Sequence, residues 1–301
     1  MPHPERDALV SELENCEQLA SGRWWQLMYH SPVRFIRALA FRTFLKPFFK
    51  KGANGIVLTF FGTPMTVRLP AGADIYLTGC KSRPQEIRLT KWMLQYIKPR
   101  WVVMEAGTHF GFYTLLLQHL TGPLGKVIAF EPSPLNFKII SGNVAGMPTI
   151  SLYQKGLSNI TGRQLLAIRG LQNTQTDSFY YLSGASTILA DVITLDDWTN
   201  LHVTIPRFIK VGAGGSVWPI LQGAESLIFL YHPIIAMEIK TADFEECYYP
   251  AIEWLKANGY RMYSLSADGS PMFCTDAWTY LQSNSIVSDN FLFLPRKQAV
   301  N

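Results

Sequence analysis

Val102-Val103-Met104-Glu105-Ala106-Gly107-Thr108-His109-Phe110-Gly111 runs straight into Phe112-Tyr113-Thr114-Leu115-Leu116. About 20 residues beyond Gly111 comes a second apolar run that ends on an acid and a proline, Val127-Ile128-Ala129-Phe130-Glu131-Pro132. Each run is too short for a helix and rich enough in branched residues for a buried strand. A strand, a glycine loop and a helix, followed by a second strand, describe the opening of a parallel α/β sheet. Gly107 and Gly111 let backbone approach a ligand closely, and the helix after them aims its free N–H groups at the same crevice.

Glycines at strand-to-helix turns also occur for purely steric reasons, so the second strand decides the reading. An acid at its tip, Glu131, is placed to accept hydrogen bonds from ribose hydroxyls, a logic that serves NAD and S-adenosylmethionine (SAM) alike. A dinucleotide site more often carries GxGxxG, which lets a pyrophosphate pass close to the backbone, and this loop lacks it. A looser loop beside Glu105 suits a ligand with a cationic methionine end and no phosphate. SAM therefore outranks NAD.

Outward from this centre the alternation continues. Gly55–Phe60 and Met65–Leu69 read as a hairpin, and Glu86–Ile97 as a helix stopped by Pro99. Pro134–Asn143 is a helix, Ile150–Gln154 a third strand, and residues 162–191 a polar stretch with a possible antiparallel excursion. Ile205–Val211 and Ile234–Ile239 are buried strands flanking a helix near Ile220–Leu230; Glu245–Asn258 is helical, and Tyr260–Ser264 and Asn290–Leu294 close the chain as strands. The expected architecture is a mostly parallel, doubly wound sheet with an antiparallel C-terminal strand. A division near residue 75 separates a helical and hairpin extension (1–75) from the α/β domain (76–301).

With 301 residues, 48% hydrophobic and 16% charged, the chain has material for a large packed core. Cys16, Cys80, Cys247 and Cys274 lie far apart, with neither metal-ligand spacing nor a disulfide framework, so no metal and a cytoplasmic setting are expected. The start lacks the pattern of a secretory signal, and no run of about 18 apolar residues would span a bilayer. The net charge of +5 is concentrated: between Gln18 and Ala73 there is no acid, but Arg23, Arg34, Arg37, Arg42, Lys46, Lys50, Lys51 and Arg68. Interleaved aromatics make residues 23–51, helical over Pro32–Lys51, either a helix docked on the core or a peripheral contact with an anionic membrane. No recognisable nucleic-acid module accompanies the basic stretch, so nucleic acid is not an expected partner.

The two opening motifs, with Asn143, Gly156-Leu157-Ser158, Thr194-Leu195-Asp196-Asp197, Leu221-Gln222-Gly223-Ala224 and Pro233–Glu238 following in order, resemble the FkbM family of SAM-dependent methyltransferases over roughly Glu86–Leu294. The resemblance implies a class I, Rossmann-like methyltransferase fold and methyl transfer to a hydroxyl of a sugar, glycolipid or natural-product acceptor. It implies that Glu105, Gly107, Thr108, His109 and Gly111 surround the methionine end of SAM, that Glu131 holds the ribose, and that Leu157 and Ser158 lie beside adenine. His109 equally fits a helix-cap or packing role.

One segment departs from the family pattern. Where the fourth strand normally ends in a run bearing three acids, this chain has Lys210-Val211-Gly212-Ala213-Gly214-Gly215-Ser216-Val217. Lys210 and Gly215 are kept; Gly212, Gly214 and Val217 stand at the acidic positions. Deprotonating an alcohol needs a base, and those acids were the natural source. Glu238, His109 and Lys210 are the remaining catalytic candidates, with His232 weaker; Glu238 also fits a structural partnership with Lys210. A catalytically impaired protein acting by binding is the alternative reading.

Overall fold

The computed structural model describes residues 3–41, 52–168, 186–242 and 244–296. Three helices open the chain, α1 (His3–Ser21), α2 (Trp24–His30) and α3 (Pro32–Ala40). The hairpin follows as β1 (Ala53–Leu58) and β2 (Pro64–Leu69), then α4 (Ala73–Thr78) and α5 (Pro84–Tyr96). The alternating region comprises β3 (Val102–Ala106), α6 (Phe112–Thr121), β4 (Lys126–Phe130), α7 (Pro134–Asn143) and β5 (Ile150–Tyr153). Beyond it come β6 (Gly156–Leu157), β7 (Gly162–Ile168), β8 (Ser186–Ile193), α8 (Leu195–His202), β9 (Phe208–Val211), α9 (Val217–Gln222), α10 (Glu225–Tyr231) and β10 (Ile234–Lys240). The last elements are α11 (Tyr249–Ala257), β11 (Tyr260–Leu265), β12 (Pro271–Phe273), α12 (Ala277–Ser283) and β13 (Ser288–Pro295).

Eight strands form the central sheet in the order β12-β11-β13-β10-β9-β3-β4-β5. The pairs β10–β9, β9–β3, β3–β4 and β4–β5 are parallel, whereas β13 runs antiparallel between β10 and β11. The chain leaves β3 toward β5 on one side and returns through β9 to β10 on the other. The order thus switches at β3 and β9, where open α/β sheets leave a crevice beyond the strand C-termini. The polar excursion forms a separate three-stranded sheet, β6-β8-β7, with β7 and β8 antiparallel.

Because side chains alternate across a strand, each face of the sheet has its own core. Val103, Phe208, Ala236 and Leu292 pack on one face with α5 and α6; Met104, Ile209, Met237 and Phe291 pack on the other with α9, α10 and α11. Several helices start where local chemistry dictates. Pro84 and Pro134 open α5 and α7 at positions that need no N–H donor, and the Thr194 hydroxyl caps α8 by accepting from Asp197 N.

Three expectations need amendment. The single helix near Ile220–Leu230 is two, α9 and α10, broken at Gly223–Ala224. The Glu245–Asn258 helix begins with a π-turn at Phe244–Tyr248 before α11. The C-terminal part of the sheet has more antiparallel pairing than one strand, since β12 also pairs antiparallel with β11. In the N-terminal extension, Leu9, Leu13 and Cys16 of α1 form a buried stripe at helical spacing. The second half of the Pro32–Lys51 helix and most of the polar excursion lie outside the described residues.

The N-terminal portion packs on the same core as α5 and α6. Val57, Met65, Val67 and Leu69 of the hairpin share the cluster of Phe110, Phe112 and Leu116, and Lys91 of α5 meets Glu17 of α1 at 2.7 Å.

Candidate active site

The loop after β3 is built by backbone strain that glycine relieves. Gly107 has φ +77°, and a Cβ there would lie 2.9 Å from the Gly212 carbonyl oxygen, so the loops after β3 and β9 touch backbone to backbone. Gly107 N and Thr108 N both donate to Phe130 O, which draws the loop toward the end of β4. His109 follows in the left-handed region, φ 55°, and its N–H donates to Glu131 Oε2 at 2.7 Å.

Glu131 is therefore a junction. Its Oε1 accepts from Ser133 N (3.0 Å) and Asn136 Nδ2 (3.3 Å) while Oε2 holds His109. Burial pushes its pKa up to about 7, against the opposing pull of the Ser133 and His109 amides. In the same loop, one residue before His109, the Thr108 hydroxyl is buried with no hydrogen-bond partner. In a glycine loop at a sheet switch point, such a hydroxyl is free to bond a polar ligand.

A second clamp holds the loop from the far side. Asn143, at the end of α7, accepts from Thr66 N (2.7 Å) and donates to Thr66 O and Phe110 O, both at 2.8 Å. One side chain ties the hairpin to the glycine loop.

Below the loop, Glu105, Lys210 and Glu238 stand on neighbouring strands β3, β9 and β10 and on one face of the sheet. Lys210 Nζ lies 3.8 Å from Glu105 Oε1 and 4.6 Å from the centre of the Tyr113 ring. Glu105 also accepts from the Thr114 hydroxyl at 2.6 Å. Burial raises the Glu105 pKa despite the pull of Lys210, and burial lowers that of Lys210 despite Glu105. Both shifts favour a less charged pair. Glu238 pairs with Lys240 at 3.2 Å, so the expected Glu238–Lys210 partnership gives way to two separate pairs. His232 caps α10 and precedes β10 at the end of the strand opposite Glu238, so the structure does not bring it to this site.

Three further residues join the cluster that motif reading did not single out. Lys81 Nζ lies 3.6 Å from Glu86 Oε1 and 4.9 Å from the Tyr113 ring centre, and the Tyr113 hydroxyl donates to Glu86. Burial opposes the charge on Glu86, but Lys81 and Lys210 outweigh it and hold the carboxyl down at about 2. Burial likewise opposes the charge on Lys81, and Glu86 and Asp74 outweigh it and raise its pKa. Lys81 and Glu86 lie outside the strand motifs, and no local spacing pointed to them.

On the adenine side, Leu157 is buried in β6 opposite Ile193, Ser158 N donates to Ile193 O (3.2 Å), and Ser158 Oγ donates to Gln164 Oε1 (2.7 Å). Asp196 accepts from Ser226 N and Leu227 N, capping α10, so this part of the acidic segment is scaffold. Among the described residues no three His, Cys, Asp or Glu side chains group as a metal-ligand set.

A model described as the Methyltransferase FkbM domain matches residues 105–262, just over half of the chain. No curated protein matches the sequence. Among solved structures, the chain is similar to methyltransferase FkbM from Methylobacillus flagellatus KT (17% identity, 74% of this chain and 52% of that one, TM-score 0.42). It spans about half of that protein's length. It is also similar to precorrin-6y C5,15-methyltransferase from Geobacter metallireducens GS-15 (14% identity, 70% and 89% coverage, TM-score 0.39). A third is Aeropyrum pernix fibrillarin, solved with natively bound S-adenosyl-L-methionine (12% identity, 66% and 67% coverage, TM-score 0.39). On the family match, which begins at Glu105 and takes in β4, β9 and β10, this chain belongs to the FkbM family of SAM-dependent methyltransferases.

Proposed function

We propose that the protein binds SAM in the crevice beyond β3 and β4 and transfers its methyl group to a hydroxyl of a sugar, glycolipid or natural-product acceptor, in the cytoplasm. The observation that carries the reading is the junction of the glycine loop with Glu131, where a buried carboxylate holds the His109 N–H and the Thr108 hydroxyl of the same loop is unpartnered, at the sheet's switch point. Thr108 and the loop backbone would hold the methionine end, Glu131 the ribose, and Leu157 and Ser158 the adenine. Bound SAM supplies an electrophilic methyl group on a sulfonium. The chain's own task is to orient the acceptor and take its proton. With Gly212 and Gly214 in place of acids, Lys210 Nζ is the group suited to this, because burial favours its neutral amine. Glu238 is already engaged with Lys240. Calorimetric titration with SAM and S-adenosylhomocysteine tests the pocket. Binding that falls at least about tenfold in Glu131→Ala supports it, since hydrogen bonds to a charged group contribute about 1.5–3 kcal/mol; no heat at millimolar ligand overturns it.

A second reading, binding without turnover, is favoured by Gly212. A Cβ there would lie 2.7 Å from Lys210 Nζ, so the lysine side chain fills the space beside it. Product formation from labelled SAM and a panel of hydroxyl acceptors separates the two: turnover by the unaltered chain excludes the silent reading.

A further inference from the structure

Helices α2 and α3 contain no buried residue, although both are rich in large apolar side chains. On α2, Trp25 and Tyr29 are one turn apart and exposed; on α3, Val33 and Ile36 are exposed at the same kind of spacing, 77% and 62%. The two helices are held together by the Trp24 ring stacked on Phe35 at 6.2 Å. The hairpin lies next to α3. The Arg37 guanidinium donates to Asn54 O at 2.8 Å, and next along β1 the alternation turns Ile56 and Leu58 outward, 69% and 57% exposed. Large apolar side chains grouped like this on a monomer mark a contact surface rather than scattered exposure.

Charge identifies the partner. From residue 18 to residue 73 the chain has eight Arg and Lys and not one Asp or Glu, and Arg23 and Arg37, next in sequence to Trp24 and Ile36, are exposed. A protein partner would need a matching acidic and apolar surface. An anionic bilayer offers both together, with phosphate-level charge for arginines and an acyl boundary for tryptophan, tyrosine and aliphatic side chains. Among the described residues no helix is long and apolar enough to cross a membrane, so the contact is with the surface. We propose that the outer face of α2, α3 and β1 docks on an anionic lipid surface. This holds independently of whether methyl transfer occurs.

Flotation of the full chain with vesicles of phosphatidylcholine alone, or of phosphatidylcholine with phosphatidylserine, tests it. The protein is expected to float with the anionic vesicles, to be released as salt rises from about 0.05 M to about 0.5 M, and to stay behind with neutral ones. The double variant Val33→Glu/Ile36→Glu places charges at exposed positions, so its melting temperature should match the parent while flotation is lost. Arg23→Gln should lower partitioning about fivefold, the worth of one basic residue near an anionic surface. Equal flotation with both vesicle types, or none with either, overturns the proposal. So does self-association that the double variant abolishes in a chain that never floats, which would assign the face to a second copy.

Discussion

Lys210 Nζ and Glu105 Oε1 face each other at 3.8 Å from adjacent parallel strands, above the ring of Tyr113 and under the glycine loop. Burial drives both groups toward neutrality.

Lys210→Arg separates the two roles that this position serves. Arginine keeps a cation for Glu105 but stays protonated at every working pH, so it cannot act as a base. The expected outcome is unchanged SAM affinity by calorimetry with turnover reduced by about two to four orders of magnitude. In the parent, turnover should rise with pH as the buried amine loses its proton. Turnover equal to the parent would move the base to Glu238.

Glu131 makes stability and binding depend on pH in opposite senses. Its pKa is raised from 4.5 to about 7 by burial, so across that window the folded chain binds more protons than the unfolded chain. Folding stability from this group is greatest below about pH 4.5 and declines as pH rises toward 7, by about 3 kcal/mol in total. Urea denaturation from about pH 4.5 to about pH 8 should show the decline, and Glu131→Gln should remove it. In the proposed complex ribose hydroxyls would donate to the ionised carboxylate, so SAM affinity should instead increase over the same range.

Asn143→Ala removes three hydrogen bonds that join Thr66 to Phe110. Leaving the buried Phe110 carbonyl unpaired costs about 1–3 kcal/mol and losing the two partly exposed bonds to Thr66 about 0.5 kcal/mol each, so a loss of about 2–4 kcal/mol by chemical denaturation is expected. SAM binding should weaken as well, because the same clamp holds the glycine loop.

The three positions where the family resemblance implies acids should respond differently when acids are placed there. At Gly212→Asp the tight contact, 2.7 Å, is with the flexible end of Lys210, the Ala106 and Gly107 carbonyl oxygens lying at 3.4 Å, and the new carboxylate faces the lysine, so a stable protein is expected. Gly214 has φ +58°, where a glutamate side chain is strained by about 1–2 kcal/mol. Val217 is fully buried in the core of the second sheet face. Val217→Glu places an unpaired carboxylate there and should lower stability by several kcal/mol or stop folding. Thermal melts of the three single variants check this order, with Gly212→Asp the most stable, Gly214→Glu next and Val217→Glu the least.

The alternation of short apolar runs with amphipathic helices is a local signal, and it suffices for the order β3–α6–β4–α7–β5 and for the placing of Glu105, the glycine loop and Glu131 at strand ends. Local pattern also carries the hairpin, because its register is set by neighbours in sequence. What depends on residues far apart was illegible. The insertion of β13 between β10 and β11 joins segments with similar apolar patterns, and only the packing of both sheet faces chooses among their possible neighbours. Lys81, Glu86 and Tyr113 converge on Lys210 from α5, α6 and the loop before α5, and nothing in their spacing marks them as one cluster. The sequence showed that Gly212, Gly214 and Val217 stand where acids are expected. Only the fold revealed that these are three different environments: a lysine tip, a left-handed turn and a closed core. A substitution's cost is set by what surrounds it in space, and that is decided when distant strands pack.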